Sequence, residues 1–291
     1  MSRIEEALRK LQNQEGKSRV GKSTRRLPTS PIPVARKKTV EITGVKHHID
    51  QDALIRRGLL APLEHAVPVA DEFRRIKRPL IDNATKSVDG DADHMNVIMV
   101  ASALPGAGKT FCSVNLAASI SIERELTVLL VDADVAKPHI STVFGFADKP
   151  GLIDILEDET IPIDEVLVRT DLNDIQVLPA GRKHAQSTEL LASERMQEVV
   201  HELATRYPDR LIVMDSPPLL ITSEAQVLAS QVGQIALIVE SGTTTQAQLE
   251  EALELLDRSK TINVILNKSV YSQTGGYYDV QYGNYGFNED R

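Results

Sequence analysis

The stretch that decides the fold is Ala-Ser-Ala-Leu-Pro-Gly-Ala-Gly-Lys-Thr, residues 101–110. It follows the apolar run 97–100 and precedes a segment with helical character, 111–122. A strand, a glycine-rich turn, Gly-Lys-Thr and a helix are the layout of a loop that binds nucleotide phosphates. Backbone N–H groups and the helix N-terminus can face an anionic phosphate there, because glycine leaves no side chain in the way. The pattern therefore predicts a nucleotide site.

The residues of this loop have separate expected roles. Gly106 and Gly108 let the phosphates approach the backbone, and Lys109 reaches the β- and γ-phosphates. The hydroxyl of Thr110 can bind Mg²⁺. The usual pattern has glycine where this chain has Ala103. The expected nucleotide contacts are the loop, the residue after it and one asparagine further along the chain: Pro105, Gly106, Ala107, Gly108, Lys109, Thr110, Phe111 and Asn267.

Composition narrows the class of protein. The chain has 291 residues, of which 42% are hydrophobic and 25% are charged, as in ordinary soluble globular proteins. The formal net charge of −8 argues against nucleic-acid binding by the chain as a whole. The single cysteine, Cys112, excludes an intramolecular disulfide and fits a reducing compartment. No apolar run reaches the ~18–20 residues that cross a bilayer, so we expect a cytoplasmic protein.

The N-terminal segment, 1–45, differs from the rest of the chain in composition. Residues 2–13 carry apolar side chains at helical spacing, which predicts a short helix. Residues 16–40 are basic, contain three prolines and are poor in apolar residues. We therefore expect a flexible arm or linker between the short helix and the rest of the chain.

Residues 46–95 have the pattern of a helical lead-in to the core domain. A helix predicted over 71–82 places Glu72, Arg75 and Arg78 along one face, because they are spaced three residues apart. Taken alone, such a stripe is typical of a solvated helix face, although it can also pair with a neighbouring subunit.

The core domain is predicted over 96–268. Six segments rich in Val, Ile and Leu predict strands buried on both faces: 97–101, 127–132, 174–178, 210–215, 235–240 and 262–266. Helical periodicity lies between them, as in 187–206 and 244–258. Alternating strands and helices predict an α/β fold, a doubly wound and mainly parallel sheet with helices on both faces.

Three aspartates follow two of these strands. Asp132 ends the strand 127–132 and Asp134 follows it by two residues, while Asp215 ends the strand 210–215. In an open parallel sheet, ligands bind beyond the carboxyl ends of the strands, so these carboxylates are expected in the crevice of Lys109. Acids beside bound phosphates hold Mg²⁺ or orient a nucleophile. The apparatus serves phosphoryl transfer to a tyrosine and ATP hydrolysis equally well.

The C-terminal segment, 269–291, predicts a flexible tail. It interleaves glycines with five of the six tyrosines of the chain: Tyr271, Tyr277, Tyr278, Tyr282 and Tyr285. A glycine-rich segment without helical or strand periodicity does not collect aromatic residues for a core. We expect a mobile substrate segment, in which these five tyrosines accept phosphate.

Taken together, these motifs resemble those of the bacterial tyrosine kinases, the P-loop autokinases of exopolysaccharide and capsule systems. Residues 103–110 resemble their Walker A motif, 129–134 their Walker A′ motif and 211–217 their Walker B motif. The terminal tyrosine cluster is similar as well. Glu72-x-x-Arg75-x-x-Arg78 matches the motif through which these kinases form rings, which changes the expectation for that stripe to a subunit contact. The start of the chain, 1–11, more weakly resembles the kinases of exosortase-linked systems.

The resemblance implies ATP and Mg²⁺ as cofactors and a P-loop fold like that of the MinD and ParA ATPases. Lys109, Asp132, Asp134 and Asp215 would be the catalytic residues, and Thr110, Asp132 and Asp134 would hold the metal. The kinase would phosphorylate the tail of a neighbouring subunit in a homo-oligomeric ring.

The resemblance also implies partners. A membrane-bound polysaccharide co-polymerase would activate the kinase and keep it at the inner face of the plasma membrane. A tyrosine phosphatase would reverse the reaction. The cycle would regulate exopolysaccharide synthesis or export.

Two alternatives to an active kinase stay open: a departure from the family pattern, at position 136, favours the first, and Leu104 counts against the second. The family's Walker A′ motif has arginine where this chain has Ala136, so Lys137 must replace it or activity is reduced. A catalytically weak regulatory subunit that still binds ATP is therefore one alternative. The other is a MinD/ParA-type ATPase, a nucleotide-switched dimer. Those proteins have a further lysine five residues before the catalytic one, where this chain has Leu104.

Overall fold

The computed structural model describes residues 46–62, 65–86 and 94–269. The short helix and basic linker predicted in 1–45 lie outside the described residues, as do the five tail tyrosines. In this part of the chain we number ten helices and seven strands. The helices are α1 Gln51–Arg56, α2 Ala66–Lys86, α3 Lys109–Ile120, α4 His139–Val143, α5 Leu152–Glu157, α6 Ile163–Val166, α7 Ser187–Leu191, α8 Glu194–Arg206, α9 Ser223–Gln231 and α10 Gln246–Glu254. The strands are β1 Val97–Ser102, β2 Thr127–Asp132, β3 Val168–Arg169, β4 Gln176–Leu178, β5 Arg210–Asp215, β6 Gln234–Glu240 and β7 Thr261–Asn267.

The seven strands form one sheet in the order β3-β4-β2-β5-β1-β6-β7. Every neighbouring pair is parallel except β3 with β4, which is antiparallel. Successive residues of β1 enter different hydrophobic clusters: Val97 and Met99 pack with α8 and α9, whereas Ile98 packs with α2 and α3. Helices therefore cover both faces, and the predicted α/β fold with a mainly parallel sheet is confirmed.

The phosphate loop lies between β1, an interior strand of the sheet, and α3, where the sequence predicts it. Gly106 and Gly108 have left-handed backbones, with φ of 87° and 94°. A side chain at Gly108 would also collide with Asn267, since a Cβ built there lies 2.2 Å from the Asn267 Nδ2 atom. Glycine at 108 is thus required by conformation and by the close approach of the end of β7.

Several element bounds differ from those that the periodicity predicts. The helix predicted over 71–82 is part of the longer α2, which runs from Ala66 to Lys86. The helix predicted over 187–206 is two helices, because Ser193 caps α8 by accepting a hydrogen bond from the Met196 N–H. In the predicted strand 174–178, Asp174 has a φ of 60°, so the extended segment begins later.

Membrane-spanning helices are absent from the described part of the chain: no helix there combines the necessary length and apolarity.

Candidate active site

The candidate site lies at the carboxyl ends of β1, β2 and β5, three adjacent strands of the sheet. Asp132 and Asp215 end β2 and β5 and are register partners across that pair of strands. Lys109 is the first residue of α3, directly after the phosphate loop. The topology therefore brings these three predicted residues together, because parallel strands deliver their carboxyl ends to one edge.

Lys109 is a buried cation. The residue is 8% exposed, and its Nζ atom donates to the Ser102 hydroxyl over 3.1 Å. Burial lowers the pKa of Lys109, while the charges of Asp215 and Asp134 act in the opposite direction. A cation that is desolvated and hydrogen-bonded to a neutral hydroxyl gains most from an incoming anion such as a phosphate.

Asp215 organises the first turn of α3. One of its oxygens accepts from the Thr110 hydroxyl over 2.8 Å and the other from the Ser113 hydroxyl over 2.9 Å. Burial raises the pKa of Asp215 to about 6, although both hydroxyls and Lys109 favour its charged form. Since the Thr110 proton points to Asp215, the oxygen lone pairs of Thr110 are available to a cation.

Asp132 has one satisfied and one unsatisfied oxygen. Its Oδ2 atom accepts from the N–H and the hydroxyl of Ser141, each over 2.7 Å. Its Oδ1 atom is buried and has no hydrogen-bond partner among the described residues. Burial raises the pKa of Asp132 to about 7, and the charges of Asp215 and Asp134 raise it further against the effect of Ser141. A buried acceptor without a partner is costly, so this oxygen favours a proton or a cation.

Asp134 lies nearer the solvent than the other two aspartates. It is half-buried, and its Oδ1 atom accepts from the backbone N–H of Lys137 over 3.2 Å. Burial raises the pKa of Asp134, whereas this N–H and the charges of Lys109 and Lys137 lower it. Lys137 is exposed and contacts Asp134 through its backbone. That its side chain replaces the missing arginine at 136 stays a prediction.

These residues fit Mg²⁺. The hydroxyl of Thr110 and the carboxylates of Asp132 and Asp134 are oxygen ligands of the kind that Mg²⁺ prefers, and Asp132 offers an unpaired one. No cluster of three His, Cys, Asp or Glu side chains suited to a metal occurs in the described ranges. Mg²⁺ at nucleotide sites usually has few protein ligands, because phosphates and water supply the others.

The other predicted nucleotide contacts surround the loop. Pro105 is exposed, and the ring of Phe111 packs against Phe73 of α2, with centroids 6.0 Å apart. The Asn267 side chain donates to the Ala107 carbonyl over 2.8 Å. Sequence reasoning missed Lys268, whose Nζ atom donates to the Gly106 carbonyl over 2.7 Å. No pattern in the sequence marks Lys268, since its contact depends on where β7 ends.

The predicted subunit contacts lie on α2. Glu72, Arg75 and Arg78 are all exposed, and Arg78 lies 3.7 Å from a Glu123 oxygen within the same chain. Glu72 and Arg75 line a groove between α2 and the edge strand β7, and Ser269 lies at the same groove. That these residues contact a neighbouring subunit stays a prediction.

Known proteins are similar to this chain in sequence and in fold. Residues 95–270 match the family described as AAA domain. The chain is 30% identical to the tyrosine-protein kinase YwqD of Bacillus subtilis over 228 residues. This match covers 77% of this chain and 92% of that protein. It is 28% identical to the tyrosine-protein kinase Wzc of Salmonella typhimurium, over 91% of this chain but 35% of the longer relative.

A solved structure agrees with these relatives. The kinase domain of the Escherichia coli tyrosine kinase ETK superposes with a TM-score of 0.57 at 27% identity, over 64% of this chain and 72% of that one. The MinD/ParA-type alternative is not supported by these relatives, which are named as kinases. With a family match over most of its length and a near-complete match to a kinase relative, the chain belongs to the bacterial tyrosine-protein kinases.

Proposed function

We propose that this chain transfers the γ-phosphoryl group of ATP to the five tyrosines of its C-terminal tail, Tyr271, Tyr277, Tyr278, Tyr282 and Tyr285, on a neighbouring subunit. The observation that carries the proposal is the unsatisfied Oδ1 atom of Asp132, buried beside Asp215 and the first turn of α3. The protein's own groups leave this charged site incomplete, and a nucleotide with a metal would complete it.

The phosphate loop and Lys109 would bind the phosphates of the nucleotide. The first N–H groups of α3 have no partner within the helix, and Gly106 and Gly108 keep the approach to them free of side chains. Lys109 neutralises charge on the transferred phosphoryl group, where positioning and electrostatic stabilisation supply most of the catalysis.

Thr110, Asp132 and Asp134 would hold Mg²⁺, which when bound neutralises charge on the β- and γ-phosphate oxygens. Asp215 keeps the Thr110 hydroxyl oriented through its 2.8 Å hydrogen bond. A tyrosine hydroxyl has a pKa near 10, so it needs a proton acceptor close to neutral pH. Asp132 and Asp134 are the two carboxylates of the site that can take this proton.

The position of the last described residues, Lys268 and Ser269, supports transfer between subunits. Lys268 contacts the phosphate loop and Ser269 lies at the groove beside Glu72 and Arg75, so the tail starts close to both. A neighbour bound through Glu72, Arg75 and Arg78 would lie at the root of this tail. Several tail phosphates, each of about −1.5 to −2 charge, would then repel one another and the acidic site, which favours release of the ring.

We further propose that the chain works at the inner face of the plasma membrane, bound to a membrane-spanning polysaccharide co-polymerase and opposed by a tyrosine phosphatase. It would there regulate exopolysaccharide synthesis or export. A catalytically weak ATP-binding subunit is the second candidate, and the exposed Ala136 in place of the family arginine favours it.

The decisive experiment mixes two variants with Mg-ATP and measures phosphotyrosine by mass spectrometry. One carries Lys109→Met with an intact tail, and the other has all five tail tyrosines changed to Phe with an intact site. Phosphate on the Lys109→Met chain is the expected result, and it requires transfer between subunits. A wild-type chain that binds and hydrolyses ATP but gains no phosphotyrosine, even with its membrane partner, would contradict the proposal.

The ring is tested separately by light scattering. Arg75→Ala with Arg78→Ala should shift the assembly toward monomer, because the subunit contact loses both cations. Arg74→Ala is the matched control, since Arg74 is an exposed arginine of the same helix that pairs with Asp71 within its own chain. An unchanged oligomer in the double variant would contradict the ring.

A further inference from the structure

Two side chains at the end of β7 donate hydrogen bonds to backbone carbonyls of the phosphate loop. Lys268 Nζ donates to the Gly106 carbonyl over 2.7 Å, and Asn267 Nδ2 donates to the Ala107 carbonyl over 2.8 Å. Both carbonyls belong to the loop whose N–H groups are proposed to bind phosphate. The proposed reaction assigns no role to Lys268.

Peptide geometry links each of these carbonyls to a phosphate-facing N–H. In a trans peptide the C=O and the following N–H point in opposite directions, and the described chain has no cis peptide. Holding the Gly106 carbonyl toward Lys268 therefore turns the Ala107 N–H away from Lys268. Holding the Ala107 carbonyl toward Asn267 does the same for the Gly108 N–H.

The loop needs this external support because glycine leaves its backbone permissive. Gly106 and Gly108 flank Ala107 with left-handed φ values of 87° and 94°, and glycine populates both signs of φ with little preference. The loop sequence alone therefore does not determine the direction of these peptide groups. Asn267 and Lys268 determine this direction at the two carbonyls that they contact.

Lys268 is itself fixed by a second element. Its Nζ atom lies 3.0 Å from an oxygen of Glu240, which ends β6 and is less exposed than Lys268. The backbone of Lys268 is left-handed, with a φ of 55°, a conformation that costs a non-glycine residue free energy. The contacts with Gly106 and Glu240 account for this residue keeping that conformation.

We infer that Lys268 is a positioning residue for phosphate binding: it holds the Gly106 carbonyl so that the Ala107 N–H faces the nucleotide phosphates. Glu240 acts through Lys268 by fixing the ammonium group. The inference rests on the proposed function, because it presupposes a nucleotide in the loop.

The test uses the full-length chain and Mg-ADP as the probe. Lys268→Met keeps the length of the side chain but removes the donor, and it should weaken Mg-ADP binding in calorimetry by roughly 3- to 10-fold, the net value of one ordinary hydrogen bond at a partly exposed site. Lys268→Arg should restore part of the affinity. Lys46→Met is the matched control, because it removes another exposed lysine–carboxylate pair, with Asp174, on an element outside the loop.

A spectroscopic readout reports the peptide group directly. Gly106–Ala107 is the single Gly-Ala pair in the sequence, so ¹³C-carbonyl glycine with ¹⁵N-alanine gives one correlated amide signal. This signal should move in Lys268→Met and, less, in Glu240→Gln, and stay in place in Lys46→Met. If Lys268 only stabilised the fold, its loss would change the melting temperature and leave this amide signal in place.

The outcomes separate the two proposals. If the wild-type chain does not bind Mg-ADP, the proposed function fails, while the amide signal still tests the contact. If the wild type binds and Lys268→Met binds as tightly, or its Ala107 amide signal is unmoved, the inference is overturned. Should Lys268→Met fold poorly, Glu240→Gln decides by the same two measurements, since it leaves Lys268 in place.

Discussion

Two buried polar clusters of this molecule have opposite designs. At the carboxyl ends of β2 and β5, the active-site cluster of Lys109, Asp132 and Asp215 is charged, and one oxygen of Asp132 has no partner in the described part of the chain. At the start of β6, Gln234 is neutral and fully buried. Its Nε2 atom donates to the carbonyls of Leu80 and Met95 over 3.0 and 2.6 Å, and its Oε1 atom accepts from Asn83 over 3.0 Å.

The difference separates groups that serve the fold from groups that await a ligand. Gln234 joins β6 to α2 and to Met95, two residues before β1, with hydrogen bonds that the chain supplies itself. The active-site cluster leaves charge desolvated and one acceptor unpaired, which destabilises the empty protein. We therefore expect substitutions in the two clusters to affect different quantities.

The largest effect is expected for Lys109→Met. Phosphotyrosine formation should fall by roughly 100- to 1,000-fold or more, because a preorganised cation is lost from the transferred phosphoryl group. The free energy of unfolding should stay equal or rise, since burial already lowers the pKa of this ammonium. Initial rates of tail phosphorylation and urea unfolding measure the two quantities. If Lys109→Met lowered the free energy of unfolding as well as the rate, the active-site cluster would also serve the fold, as Gln234 does.

For Gln234→Met we expect a loss of stability without a loss of nucleotide binding. The variant leaves two buried carbonyls and the Asn83 amide without this partner, so the free energy of unfolding should drop by about 2–4 kcal/mol. Calorimetry should show unchanged Mg-ADP affinity below the new melting temperature. Gln246→Met is the control, because Gln246 is exposed and bonds to Glu250 within α10, and it should cost less than ~0.5 kcal/mol. A comparable loss in both variants would show that burial of Gln234 does not matter.

These two clusters also show what the sequence could and could not predict. Lys109 and the strand-end aspartates follow from local motifs, because a parallel sheet places strand ends together. Gln234 and Lys268 carry no local signal: their roles depend on Leu80 and Gly106, more than 150 residues away in the chain. Apolar runs predict the five long strands and the three-residue β4, whereas the two-residue β3 is missed. Two residues are too few to show a period, and β3 depends on its partner β4.

The pH dependence of stability should also separate the clusters. Burial raises the pKa of Asp132 to about 7, so the folded protein binds a proton that the unfolded chain, with an ordinary carboxyl pKa near 4, releases earlier. The contribution of this group is therefore full below about pH 4 and is lost as pH rises toward 7. Metal-free protein should lose roughly 1–3 kcal/mol of unfolding free energy between pH 5 and 8.

Two variants test whether this dependence of the unfolding free energy on pH comes from the active-site cluster. Asp132→Asn should flatten it in part, because Asp215, with a pKa raised to about 6, still contributes. Gln234→Met should lower the whole curve and leave its slope unchanged, since the cluster around Gln234 is neutral. Urea unfolding at several pH values in the presence of a chelator makes the measurement. A slope that Asp132→Asn leaves intact would assign the titration to other groups.

The smallest effect is expected where charges meet in solvent. Asp174 pairs with Lys46 and lies 3.5 Å from Arg169, but its side chain is 62% exposed. Asp174→Asn removes the charge and keeps a residue that tolerates the left-handed φ of 60°, so the free energy of unfolding should change by less than ~0.5 kcal/mol. The change should shrink further in 0.5 M salt, roughly as screening predicts. If Asp174→Asn lowered the free energy of unfolding as much as Gln234→Met, then charge, and not burial, would determine how the two clusters differ. A negligible effect would instead show that the active-site cluster is special because its charges are desolvated.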